Sequence, residues 1–487
     1  MDDRLMYRRE FFIGGRWTTP AGHERMGVVS PSAEVVVGEV PVAVEADIDR
    51  AVGAARAAFD DGPWPRMSPA ERSEVLIRAA DLLRKRTDDI AGVTVEEMGC
   101  AISQASRAQT GLVAPVFDYY AGLIRGFEFE RRVVEGERAG LVDQLPVGVV
   151  GAIVPWNAPV TIAAWKVSAA LAAGCTVVLK PPPEAPLSNY LLVEALEEAG
   201  VPAGVINLVP GGREVGEHLV THPGTDKIAF TGSTAAGKRI MSLCGDQVKR
   251  VSLELGGKSA SIVLDDADID TVVPRIVAGV MHLSGQVCGA HTRVLVPAAR
   301  YAEVVDLAAA AADAIPVGDP HDPATVVGPL VAERQRERVE ELIASAADEG
   351  ARVAAGGTRP AHLPKGWYVS PTVLADVDNS MRVAREEIFG PVLCLIPYEG
   401  DDDAVRIAND SQYGLAGGVW SADDERAVAV ARRLRTGSVS VNGTAAPFPF
   451  VPFGGLKQSG LGRELGPEGL ASFLEPRSIG LPPSVPS

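Results

Sequence analysis

The chain has 487 residues, 46% of them hydrophobic, enough at roughly 100–200 residues per domain for two or three cores. Sixty-three acidic against 46 basic residues leave a formal charge of -17, a surface that repels phosphate backbones and anionic lipid and so argues against nucleic-acid or membrane partners. Five scattered cysteines (Cys100, Cys175, Cys244, Cys288, Cys394) fit neither a disulfide framework nor paired metal-ligand spacing, no leader opens the chain, and no window approaches the ~20 apolar residues of a membrane helix; a soluble, cytoplasmic, metal-free protein is predicted.

In chain order, Phe11-Phe12-Ile13-Gly14-Gly15-Arg16-Trp17 is an aromatic-rich opening, and 35–40 reads as a short strand closed by Pro41. Asp47 is expected to cap a helix over 48–59, with Ile48, Val52, Ala55 and Phe59 on one face. Ser68-Pro69-Ala70-Glu71 has the cap, first-turn proline and third-position glutamate of a second helix, and helical patterns continue to about residue 124. Between 125 and 145, charged residues alternate with apolar ones around a turn candidate at Glu135-Gly136-Glu137. This reads as a hairpin, which is marginal alone and must lean on another part of the chain or a second subunit.

From 147 the pattern alternates: strands at 147–154, 176–179, 205–209, 227–230 and 251–255, helices at 161–173, 188–199, 214–220 and 234–243. Val/Ile runs separated by helices predict buried parallel strands in a doubly wound sheet, where ligands bind at the carboxyl ends. Those ends carry Pro155-Trp156-Asn157, Lys180, Pro210-Gly211-Gly212 and Thr231-Gly232-Ser233. After 263 a second alternation follows, with helices near 301–314, 332–349 and 423–435 and strands near 368–374, 392–397 and 438–442. The predicted class is α/β, two doubly wound domains plus a β-hairpin arm.

Cys288 lies in Ser284-Gly285-Gln286-Val287-Cys288-Gly289-Ala290, between a helical stretch at 269–283 and a strand beginning near 292. The flanking glycines suit a nucleophile reachable by a small molecule; a buried cysteine acting as a small hydrophobe is the other reading. Ser233 fits a phosphate at a helix N-terminus or an ordinary cap, and no Gly-x-Gly-x-x-Gly fingerprint follows the first strand of the sheet. Lys180, held at a strand end by Pro181-Pro182-Pro183, could bind a nucleotide hydroxyl or be a solvated terminus. Glu254, among Leu253, Leu255 and paired glycines, reads as a desolvated base or half of a salt bridge. Asn157 could donate to an oxyanion or cap a turn.

Taken in order, Pro155-Trp156-Asn157, Lys180-Pro181, Phe230-Thr231-Gly232-Ser233, Glu254-Leu255-Gly256-Gly257-Lys258, Gly285-Gln286-Val287-Cys288, Glu387-Ile388-Phe389-Gly390-Pro391 and Pro452-Phe453-Gly454-Gly455 closely resemble the aldehyde dehydrogenase superfamily, over nearly the whole chain. The resemblance implies a cofactor-binding domain (1–124 and 146–255), a catalytic domain (256–470) and an oligomerisation arm and tail (125–145 and 471–487). The arm would pair with the C-terminal strand near 473–480 and extend a neighbouring subunit's sheet, giving a homodimer or homotetramer.

It further implies that Cys288 attacks a small-molecule aldehyde, that Asn157 and the Cys288 N–H hold the oxyanion, and that Glu254 activates the water that releases the acid. NAD, or alternatively NADP, would lie along Ile153, Pro155, Trp156, Lys180, Pro182, Glu184, Gly212, Gly216, Phe230, Thr231, Gly232, Ser233, Leu255, Glu387 and Phe389. Two positions depart from the family pattern. Pro183 stands where many members have a ribose-binding glutamate, with Glu184 one step later; losing that carboxylate reduces repulsion of a 2′-phosphate, but no arginine lies in 181–189 to attract one, which favours NAD. Ala158 stands where an aromatic residue is common, which enlarges the channel. With Trp165, His282, Val287, Pro447 and Phe453 as expected lining, a bulky or aromatic, apolar aldehyde is predicted. The alternatives are a CoA-acylating dehydrogenase and a catalytically silent binding protein on the same scaffold.

Overall fold

The computed structural model describes residues 3–136, 138–443 and 448–482. Its largest sheet runs Arg16–Thr18, Phe11–Ile13, Ile206–Leu208, Thr176–Lys180, Val149–Ile153, Lys227–Thr231, Arg250–Glu254, Gly460–Leu461. The five strands between Ile206–Leu208 and Arg250–Glu254 are parallel, and antiparallel strands close both edges. The parallel order follows from strands apolar on both faces: Val149–Ile153, Thr176–Lys180 and Lys227–Thr231 are buried along their whole length. The helix Pro159–Ala173, wholly buried, starts on a first-turn proline and stops at Gly174 in the left-handed region.

A second sheet runs Arg352–Ala355, Thr372–Ala375, Val392–Tyr398, Arg293–Pro297, Ala260–Val263, Ala416–Trp420, Ser438–Val441, antiparallel only in its first pair. The chain then returns. Gly460–Leu461, within the stretch 256–470 read as one domain, pairs with Arg250–Glu254 of the first sheet, and the helix Gly466–Ala471 packs on Pro159–Ala173.

The hairpin is Glu130–Glu135 against Arg138–Pro146, and Leu474–Leu481 adds a third strand in unbroken register from Leu474↔Pro146 to Leu481↔Ala139. Arg477 and Asp143 form an ion pair across that seam. The expected turn lies partly at Glu137, outside the described residues. Glu130–Glu135 is exposed throughout.

Two local expectations change. Asp47 caps from inside the helix Glu45–Asp60: its carboxylate accepts from Val44 N–H at 3.0 Å and Ala21 N–H at 2.9 Å, so Val44 holds the cap position. The helix expected at 423–435 is Asp424–Ala431, with Asp423 accepting from the Glu425 and Arg426 amides. Leu434, beyond its end, still packs in the core. Ser68 and Glu71, by contrast, form the reciprocal box read from their spacing, at 3.3 and 2.7 Å.

Among the described residues no helix is long and apolar enough to cross a membrane, and no cluster of His, Cys, Asp or Glu is placed to hold a metal ion.

Candidate active site

The helix Ile269–Met281 leads into a turn in which Leu283 (φ 50°, ψ 36°), Ser284 (φ 56°, ψ 32°) and Gly285 (φ 73°) are all left-handed. That conformation costs an L-residue about 1–2 kcal/mol. Hydrogen bonds over-determine it here: Leu283 N–H donates to Gln104 Oε1 at 2.8 Å, Gln286 Nε2 donates to Leu283 O at 3.2 Å, and Ser284 Oγ donates to Gly328 O at 2.8 Å. Gly285 is demanded twice over, by its positive φ and because a Cβ would stand 2.0 Å from Gly390 O. Gly289 is under no such constraint, a Cβ there meeting only Ala416 Cβ at 3.8 Å. Of the two glycines read as opening the thiol, Gly285 therefore serves the turn and its packing.

Cys288 is half-buried, whereas the other four cysteines are buried. Burial first, then the nearby Glu387 and Glu254 carboxylates, push its thiol up to about 12, so the resting group is a thiol at neutral pH. Gly257 lies against the cysteine loop, since a Cβ there would stand 2.6 Å from Cys288 O.

Glu254 ends the strand Arg250–Glu254, is 3% exposed, and neither carboxylate oxygen has a hydrogen-bond partner. Burial, then Glu464, hold its carboxyl well above the usual range, against the pull of Lys166 and Arg463. Lys166 and Glu464 form a buried ion pair. Sequence reading missed both, although a single lysine in the otherwise uncharged helix Pro159–Ala173 was the available signal, since a lysine is rarely buried unless paired.

Asn157 Nδ2 donates to Gln286 O at 2.9 Å, two residues before Cys288, and Asn157 O accepts from Gln109 Nε2 at 2.8 Å. The side-chain amide is thus docked on the cysteine loop, with a second N–H to offer.

The strand ends of the first sheet form a nucleotide-shaped edge. Lys180 is 6% exposed, its Nζ lies 3.2 Å from Pro181 O, and burial pulls its ammonium down to about 8 against the opposing influence of Glu184. Pro182 is buried beside it. Gly212 caps the helix Arg213–Thr221, and Gly216, whose N–H donates to Gly212 O at 3.2 Å, sits where a Cβ would touch the Lys180 side chain at 3.8 Å. Gly232 N–H donates to Glu254 O at 3.0 Å, and Ser233 Oγ caps Thr234–Gly245 by accepting from Ala236 N–H at 3.3 Å. The Thr231 hydroxyl is buried without a partner.

Ile153, Phe230 and Leu255 pack together as the apolar floor. Opposite, Glu387 Oε1 accepts from Gly257 N–H at 3.0 Å, and burial raises its carboxyl to about 7. Phe389, at φ 59°, stands edge-on to Trp156 with centroids 5.2 Å apart, next to the half-buried Pro155. An ammonium, a carboxylate, a helix N-terminus and an orphan hydroxyl along one edge fit the hydroxyls and pyrophosphate of a dinucleotide. The Glu184 carboxylate is paired with Arg334, brought from the helix Glu333–Asp348.

Trp165 and Phe453 meet at 5.8 Å between ring centroids, and Ala158 joins them on the first core. Val287 packs elsewhere, against Ala91, Val95, Met98 and Leu283. His282 is partly buried, which lowers its imidazole below the ordinary range. Pro447 lies outside the described residues.

Parallel strands ending on such an edge define a nucleotide-dependent α/β enzyme, with a thiol at the seam between its two sheets. The model of the aldehyde dehydrogenase family matches residues 17–479, and the chain belongs to that family. It is 47% identical to geranial dehydrogenase of Castellaniella defragrans (97% of this chain, 98% of the relative) and 45% identical to 3-succinoylsemialdehyde-pyridine dehydrogenase of a Pseudomonas species (97% and 98%). Among solved structures, a Mycobacterium tuberculosis aldehyde dehydrogenase complexed with NAD+ superposes with TM-score 0.97 at 43% identity, covering 99% of this chain and 100% of that one. A mutant of aldehyde dehydrogenase C from Pseudomonas syringae, with NAD+ and octanal, gives 0.94 at 43% identity (98% and 97%). The protein is an NAD(P)-dependent oxidoreductase acting on aldehydes.

Proposed function

We propose that the protein oxidises a bulky or extended apolar aldehyde to its carboxylic acid with NAD, through a thiohemiacetal and then a thioester on Cys288. The observation that carries this reading is the pairing of one half-buried cysteine with Glu254, a buried carboxylate left without any partner.

The Cys288 thiol loses its proton to solvent and the sulfur bonds to the aldehyde carbon, and the oxygen that becomes negative accepts from the free Asn157 Nδ2–H and the Cys288 N–H. Bound NAD supplies the acceptor for the hydride that leaves that carbon. Lys180, Glu387, Gly212 and the Ser233 helix start would hold the dinucleotide, with the Trp156–Phe389 pair packed beside it. Glu254, its proton affinity raised by burial, takes a proton from water, the oxygen attacks the thioester carbon, the C–S bond breaks to release the acid, and the Cys288 sulfur takes the proton back from Glu254. Glu254 supports water rather than CoA as acyl acceptor.

Ala158, Trp165 and Phe453 support an apolar substrate, and geranial dehydrogenase and the octanal-bound neighbour point the same way. The preference for NAD rests on the absence of an arginine from 181–189 and on Arg334 being occupied by Glu184; Pro183, by removing a carboxylate, works the other way. We further propose domains at 1–124 with 146–255 and at 256–470, a homodimer or homotetramer built through the exposed edge Glu130–Glu135, and a cytoplasmic home in keeping with five free cysteines. Turnover of octanal, benzaldehyde, acetaldehyde and betaine aldehyde, with NAD or NADP and with or without CoA, tests the chemistry. A higher kcat/KM for octanal or benzaldehyde, no CoA dependence and NAD preference are expected; acetaldehyde as the best substrate or an absolute need for CoA would refute the reading.

A further inference from the structure

We propose that Gln104 is a positioning residue for Cys288, its side-chain amide clamping the left-handed turn 283–285 together with Gln286. This rests on Cys288 being the nucleophile proposed above. Leu283 N–H donates to Gln104 Oε1 at 2.8 Å, and its C=O accepts from Gln286 twice, from Nε2 at 3.2 Å and from the backbone N–H at 3.1 Å. The other end of each amide is tied to one strap of chain, Gln104 Nε2 donating to Val326 O at 2.8 Å and Gln286 Oε1 accepting from Val331 N–H at 3.0 Å. Ser103 Oγ to Thr325 O at 3.1 Å and Ser284 Oγ to Gly328 O at 2.8 Å complete the lacing. The turn is thus held in place by a strap that carries none of the proposed catalytic groups.

Gln104 is also the residue from which the π-helix Ala105–Gln109 departs, and such turns recur at functional sites. At its far end Gln109 donates to Asn157 O at 2.8 Å. One π-turn therefore sets the oxyanion donor at one end and the thiol loop at the other, and relative placement of these two governs attack on the aldehyde carbon. Releasing Leu283 lets the turn relax toward ordinary backbone and carries Cys288 away from Asn157. Since a displacement of about 1 Å can cost on the order of 100-fold in rate, the loss should appear in kcat.

The test is the pre-steady-state NADH burst in Gln104→Met, which keeps the volume and removes both hydrogen bonds, and in Gln104→Glu, which keeps an acceptor for Leu283 N–H. Burst rates are normalised to sites that bind NAD, so unfolded protein drops out. A burst slowed roughly 10- to 100-fold in Gln104→Met, with KM for NAD within about twofold and partial recovery in Gln104→Glu, is expected. An unchanged burst, or equal loss in both variants with a shifted KM, would overturn the assignment. If Gln104→Met does not fold, Gln104→Asn replaces it, with the same order expected and equal rates overturning it. Cys288→Ser separates the two claims: a retained burst there refutes the nucleophile, whereas a dead Cys288→Ser beside unaffected Gln104 variants refutes only the clamp.

Discussion

Along the carboxyl edge of the first sheet, Lys180, Thr231 and Glu254 end parallel strands, and Gly212 and Ser233 open the helices that follow. Repetition of strand, turn and helix assembles that edge with unstrained backbone. The cysteine loop and the segment facing it are built differently: Leu283, Ser284 and Phe389 take left-handed backbone at non-glycine positions, and hydrogen bonds from distant stretches hold Leu283, Ser284 and the Phe389 carbonyl. Topology suffices to gather groups that bind. A reacting atom needs a geometry that no regular element supplies, and the fold spends strain on it. Damage to the binding groups Lys180, Thr231, Gly212, Ser233 and Glu387 should therefore be read in KM for NAD, and damage to the strained turn, or to the reacting groups Cys288 and Glu254, in kcat.

The largest expected effect is Cys288→Ala, which should lower turnover by at least about 1,000-fold while NAD titration by fluorescence stays as in the wild type. Undiminished activity would place the chemistry elsewhere. Gly285→Ala comes next: with a positive φ and a Cβ placed 2.0 Å from Gly390 O, it should lower both Tm and kcat, whereas Gly289→Ala should stay within a fewfold of wild type in both. Equal behaviour of the two would mean that the strained turn contributes nothing.

A smaller effect separates the regions by pH. Burial raises Glu387 from 4.5 to about 7, so its carboxyl is mostly protonated below that value and becomes a charged acceptor above it. KM for NAD should fall, by roughly tenfold, as pH rises through about 7, and the dependence should flatten in Glu387→Gln. The same raised pKa works against the fold as pH rises: its stabilising contribution is complete below 4.5 and is lost through about 7. Smallest of all, Glu184→Gln frees Arg334 and should improve kcat/KM for NADP relative to NAD by a fewfold, with an unchanged ratio removing Arg334 from the cofactor edge.

The first sheet was legible because its strands are uninterrupted Val/Ile runs, and each reading came within about two residues of the observed strand. In the second sheet the strand Ala416–Trp420 escaped, since Gly417 and Gly418 erase the usual β-pattern, although every residue is buried. The motifs pointed to Cys288, Glu254 and Asn157 without the contacts that set them. The Lys166–Glu464 pair spans 298 positions, and the turn at Leu283 and Ser284 depends on a glutamine 179 positions away rather than on any propensity of its own. Such arrangements are made by tertiary packing and leave little local trace.

The most direct test of covalent chemistry at the seam is mass spectrometry of Glu254→Gln, acid-quenched within milliseconds of mixing with octanal and NAD. With the proposed base removed, deacylation should slow by roughly 100- to 10,000-fold, and the octanoyl mass should appear on the peptide carrying Cys288. A full NADH burst with no acyl mass on that peptide, or with the mass on another cysteine, would contradict it.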